Sequence, residues 1–124
     1  AIFKTLNQIK GHLPSALERI ERIEKALLRK AAEMSQLEKL GIMEATPYFA
    51  QGKYLYMVFP MVRGRRPRHY IGSDRAKIAE AHAALERAKK FRQLEAELDH
   101  YGRELFEAGS VLDRFFYCLP TIED

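Results

Sequence analysis

The chain has 124 residues, 47% of them hydrophobic and 31% charged, with a net charge of +4. That length suits one domain of ordinary size, and the balance of apolar to charged residues excludes an intrinsically disordered composition. A single cysteine, Cys118, excludes an intramolecular disulfide and a multi-cysteine zinc site, and no apolar run approaches the roughly 18 residues that a membrane span needs.

The positive charge is uneven. Residues 1–13 carry +2, 14–40 carry +1, 41–73 carry +4 and 74–124 carry −3. The basic excess sits in the N-terminal segment and the middle of the chain, where it attracts phosphate backbones or other acidic partners. Read from Ala1, the sequence shows no signal-peptide pattern, so the expectation is a soluble, cytoplasmic protein with no membrane attachment.

Residues 1–13 read as a basic arm carrying Lys4 and Lys10. Residues 14–40 read as a helix, with Pro14 suited to a first turn and Gly41 to the position past the end. Its apolar residues recur in steps of three or four from 13 to 40, which makes one stripe. On the other face, Glu18 with Arg22 and Glu21 with Lys25 have the supportive i, i+4 spacing.

The period changes to two at 53–62. Tyr54, Tyr56 and Val58 point to one side, and Leu55, Met57 and Phe59 to the other. Turn signals lie on both sides of this strand, at Gln51-Gly52 and at 63–65. Residues 66–72 read as a return strand and 46–50 as a third. Pro60 and Pro67 each lack a ladder donor and belong at an edge or a bulge. Both faces of the central strand are apolar, so one packs on the helices and the other calls for a second cover.

Residues 74–119 carry a second, longer helical stripe, which follows a heptad pattern from 94 onward and is one residue short between 85 and 91. Ser73 or Asp74 serves as its cap. Gly102 and Gly109 are weak points, and Gly109-Ser110 reads as a stop and a new start. The predicted fold is α+β and mostly helical. It has two long antiparallel coiled-coil-like helices, with a small two- to three-stranded antiparallel sheet inserted between them, in one domain over 1–124.

Catalytic chemistry has little support. Cys118 lies among apolar neighbours, which suits packing, and no activating base marks it as a nucleophile. Glu97 and His100 have the Glu-x-x-His spacing of di-iron bundles, but only one copy occurs and both flank the apolar seam rather than fill it. Glu80 and His82, two apart, face away from each other on a helix. No phosphate loop, zinc spacing or Gly-x-Ser-x-Gly elbow occurs. No enzyme activity, catalytic residue, metal or cofactor is expected.

The basic run RGRRPRH at 63–69 is the densest functional signal. A two-stranded ribbon fits the major groove of DNA, and arginine offers a planar fork to phosphate or guanine. The expected nucleic-acid-binding residues are Lys53, Arg63, Arg65, Arg66, Arg68 and His69, with Lys4 and Lys10 on the arm. Tyr54, Tyr56 and Tyr70 can stack on unpaired bases, though packing across strands is the commoner role of strand tyrosines.

The stretch from Gly52-Lys-Tyr-Leu-Tyr-Met-Val through Arg63-Gly-Arg-Arg to His69-Tyr-Ile-Gly72 resembles a hairpin of small proteins from plasmids and integrated elements. It is also similar to the N-terminal hairpin of some insertion-sequence transposases. The resemblance covers about twenty residues (52–72), departs in the proline-rich return strand, and lacks a transposase carboxylate pattern. It implies a DNA-associated accessory protein of a mobile element and assigns no residue role beyond the basic turn.

Two functions follow. One is a DNA-binding module presenting a basic hairpin on a helical dimer. The other is a non-enzymatic coiled-coil adaptor that binds an acidic protein. A helix over 14–40 is too short to cover one over 74–118, so an apolar stripe is expected to remain bare and to pair with a second chain. The expected interface residues are Leu98, Tyr101, Leu105, Leu112 and Phe115.

Overall fold

The structure is a computed structural model in which residues 1–123 are described. In chain order the elements are α1 (Ile2–Leu40), β1 (Thr46–Ala50), β2 (Tyr54–Val58), β3 (Arg68–Gly72) and α2 (Arg75–Cys118). The architecture is α+β and mostly helical, with a three-stranded antiparallel sheet, in the order β1-β2-β3, placed between two long helices.

The start of α1 corrects the sequence reading. The helix begins at Ile2, so residues 1–13 are not an arm, and Pro14 lies inside α1. An interior proline lacks the N–H that would bond back to residue 10, and its ring crowds that carbonyl. Lys10 and Pro14 are both exposed, so water can satisfy the freed carbonyl. At the other end, Gly41 takes a φ of 104°, which favours glycine. Arg87 of α2 completes this terminus. Its Nε donates to the Gly41 carbonyl at 2.6 Å, and a terminal nitrogen donates to that of Leu40 at 3.2 Å. A cation is favourable there because the last carbonyls of a helix lack partners and carry partial negative charge.

The second helix is capped by Asp74, whose carboxylate accepts the Lys77 N–H at 3.2 Å. It runs unbroken to Cys118, through Gly102 and Gly109. The Ser110 hydroxyl starts no new helix. It donates to the Phe106 carbonyl at 3.1 Å, a bond made within the helix.

The core is small and one-sided. Strand alternation sends Leu55 and Met57 of β2 toward α2, where they are fully buried in a cluster with Ala81 and Leu85. Alanines at 81, 84 and 88 keep this stretch of α2 slim, and Phe91 and Leu94 extend the buried face. Beyond Leu94 no residue of α2 is buried, and α1 buries none at all. The α2 face of the sheet is therefore the real core, and the helix pair beyond it is an open hairpin.

Helix length does not explain that openness. With 39 residues in α1 and 44 in α2, the two helices span about 58 and 66 Å at 1.5 Å per residue. The first nearly matches the second, against the expectation of a much shorter partner. Stripe residues Leu13, Leu17, Ile20, Leu105 and Leu112 nonetheless stay between 36% and 57% exposed. Two helices touch along one line only, and nothing among the described residues closes the wide apolar stripe on either side of it.

Candidate nucleic-acid interface

The hairpin between β2 and β3 continues past the regular strands. Phe59 N–H donates to the Pro67 carbonyl at 2.9 Å, and Val62 and Arg65 exchange bonds of 2.7 and 3.0 Å. Between the last two, Arg63 and Gly64 take φ values of 52° and 77°. Two consecutive positive φ angles define the type I′ turn that matches strand twist. The tip of the ribbon is thus Arg63-Gly64. Pro60 and Pro67 lie outside the regular strands, in keeping with their missing donors.

This geometry gathers Arg63, Arg65, Arg66, Arg68 and His69 on one exposed projection. Among the described residues, none of the four arginines pairs with a carboxylate. Elsewhere Arg19, Arg29, Arg75, Arg103 and Arg114 also lack a carboxylate partner among the described residues, but they are scattered along the helices, and three other arginines are paired. Arg22 pairs with Glu18 at 2.6 Å, Arg87 with Glu80 at 2.5 Å, and Arg92 with both Glu44 and Glu95. The positive field of the hairpin is therefore not neutralised locally.

The remaining basic candidates lie elsewhere. Lys53 sits at the opposite end of β2, beside Gln51 and Gly52, with its ammonium 5.1 Å from the centre of the Tyr54 ring. Lys4 and Lys10 lie on the first turns of α1, at the far end of the helix pair. Thirty residues of helix, about 45 Å, separate Lys10 from Leu40 at the sheet end. These two lysines do not join the hairpin in one surface.

The sheet face turned away from α2 carries a feature the sequence reading named only in part. Tyr48 of β1 pairs with Tyr56 of β2, which pairs with Tyr70 of β3. Three tyrosines thus form one row across all three strands, with the Tyr56 and Tyr70 ring centres 5.0 Å apart. The next row is Thr46, Val58 and Arg68. Tyr48 and Tyr70 are each 54% exposed, so this face is not a second core. Tyr48 was legible from the period of two in 46–50, but only the register puts it opposite Tyr56.

The expected dimer residues are divided. Leu105, Leu112 and Phe115 line an apolar cleft between the helices together with Ile9, Leu13 and Ile20, so part of the seam lies within one chain. Leu98 is half-buried and Tyr101 is 37% exposed.

Glu97 and His100 take separate partners. Glu97 accepts from the Lys30 ammonium of α1 at 2.6 Å, which holds its carboxyl below the usual range, and His100 faces Glu104 at 3.0 Å. Among the described residues, no group of three or more His, Cys, Asp or Glu side chains is placed to hold a metal. Cys118, expected to pack, is exposed because it ends α2, far beyond the last buried residue, Leu94. No helix among the described residues is long and apolar enough to cross a membrane. Comparison of the chain with protein-family models, curated proteins and solved structures finds no match.

Proposed function

We propose that this chain is a non-enzymatic, DNA-binding accessory protein that presents its basic β-hairpin from a helical, homodimeric scaffold. The observation that carries this reading is the set of four arginines, Arg63, Arg65, Arg66 and Arg68. They are exposed around a type I′ tip and lack any acidic partner among the described residues. A ribbon of this width enters a major groove, and unpaired guanidinium groups meet phosphates or guanine edges. The resemblance of residues 52–72 to hairpins of mobile-element proteins supports the same assignment. A cytoplasmic site of action belongs to the proposal.

The test is a shift assay with a generic duplex. Changing all four arginines to alanine should abolish binding while the helical circular dichroism stays. If each arginine meets a phosphate, the log–log salt slope should fall by up to about four times 0.9. Unchanged duplex binding by the quadruple variant would sink the proposal. The open apolar cleft between the helices favours a second reading, an adaptor whose arginines bind an acidic protein. Failure of duplex DNA to compete with that protein would favour the adaptor.

A further inference from the structure

We infer that the outer face of the sheet is a stacking site for unpaired bases of single-stranded DNA, with the arginine tip holding the phosphates beside it. This inference rests on the nucleic-acid reading above and adds the form of DNA that the sheet takes.

The row Tyr48, Tyr56 and Tyr70 crosses the sheet at right angles to the strands. Neighbouring strands lie about 4.8 Å apart, and within the row the Tyr56 and Tyr70 rings lie 5.0 Å apart, tilted by 52°. Tyr54, two residues before Tyr56, adds a fourth ring on the same face, beneath the Lys53 ammonium. Four of the six tyrosines in the chain thus share one face of fifteen strand residues. Pure packing would bury such rings, as β2 buries Leu55 and Met57 on the other side. Here the two outer rings of the row are each half in solvent.

Charge complementarity identifies the occupant. The face carries no acid. Lys53 stands at one end, Arg68 in the adjoining row, and the unpaired Arg63, Arg65 and Arg66 follow along the same hairpin. An apolar protein surface would leave these cations unpaired at its rim. A duplex hides its base faces within the stack, and only unpaired bases can lie flat on a ring. Single-stranded DNA meets both demands, with bases on the tyrosines and phosphates on the cations. Gly72 lies against the Tyr70 ring, and its φ of 105° is one that side chains rarely adopt.

The experiment measures binding of the full chain to labelled dT20, rU20 and a 20-base-pair duplex by fluorescence anisotropy. Wild type should bind dT20 at least as tightly as the duplex. Its tyrosine emission, corrected for absorption by the oligonucleotide, should fall on adding dT20, a clean signal because the chain has no tryptophan. The double variant Tyr48→Ala, Tyr70→Ala should lose about tenfold or more for dT20, the scale of base–aromatic stacking, with duplex affinity unchanged. Tyr48→Phe with Tyr70→Phe keeps both rings and should bind dT20 like wild type, which separates stacking from loss of fold. Unchanged dT20 binding by the alanine pair, or equal losses for dT20 and duplex, would overturn the stacking site while leaving the basic hairpin intact. Tighter binding of rU20 than of dT20 would overturn the assignment to DNA. If wild type binds none of the three probes, the nucleic-acid reading itself fails.

Discussion

At the residue scale, a few polar contacts tie α1 and the segment before β1 to α2, and two classes of prediction follow. Arg87 is the first. Its guanidinium bonds two carbonyls at the end of α1 and pairs with Glu80, with only 18% of its side chain exposed. Hydrogen bonds that involve a charged group contribute about 1.5–3 kcal/mol. Arg87→Ala should therefore lower stability by about that amount in a denaturant titration. Arg87→Lys should recover only part of it, because an ammonium cannot reach two carbonyls and a carboxylate with one planar fork. The second class concerns Glu44 and Glu97. The Arg92 guanidinium holds the Glu44 carboxyl below its usual range, and the Lys30 ammonium does the same for Glu97. A carboxyl depressed in the folded state adds stability above its unfolded value and loses it as pH falls through the folded value. Thermal stability should thus drop below about pH 4.5 more steeply in wild type than in the double variant Glu44→Gln, Glu97→Gln. Both side chains are over a third exposed, so added salt should shrink the difference. Identical acid slopes would show that neither pair is formed.

At the scale of elements, the strands and both turns were legible because their signals are local. Alternation in 53–62 gave β2 and its two faces, and Gly52 and Gly64 marked turns where positive φ is required. The helix ends were harder to read. Pro14 and Gly109-Ser110 carry the local chemistry of helix boundaries, yet both lie inside helices. Long flanking runs of good helix formers outweigh one or two unfavourable residues, since a helix costs more to nucleate again than to continue. The tyrosine row was illegible for another reason, because it depends on a three-strand register that no single segment encodes. The glycines give the test at this scale. An added Cβ at Gly102 or Gly109 meets no atom within 4 Å outside its own helix. Alanine at an unobstructed helical position is favoured over glycine by about 0.5–1 kcal/mol. Gly102→Ala and Gly109→Ala should each raise the Tm and should add, because they lie two turns apart. A fall in Tm at either site would mean that α2 does break there, as the sequence suggested.

At the scale of the whole molecule, the surface is too large for its mass. The chain exposes 10492 Å², whereas a compact protein of 14.4 kDa exposes about 6,800 Å². Part of the excess comes from the rod shape of the helix pair, but its chemistry is apolar. Ile2, Phe3, Leu6, Leu13, Leu17 and Ile20 on α1, and Phe106, Val111, Leu112 and Phe116 on α2, are all more than 40% exposed. Isolated patches of this kind on monomers seldom exceed a few hundred Å². In the homodimer proposed above, a second copy would cover these residues, because two helical hairpins together supply the four helices that close a bundle core. Homodimer interfaces of about 2,000–5,000 Å² are of the right order to remove this surface. Such a dimer would leave both sheets free, since they lie at the opposite end of each hairpin. Light scattering at micromolar concentration should give twice the monomer mass. Leu112→Asp provides the decisive comparison. At 43% exposure in a single chain, an aspartate there keeps contact with water and the monomer still folds. Inside a closed bundle the same carboxylate is buried without a partner, which is costly. The variant should therefore run as a monomer with its helical content intact. A wild-type mass equal to one chain across the concentration range would remove the dimer from the proposal and leave the hairpin to act alone.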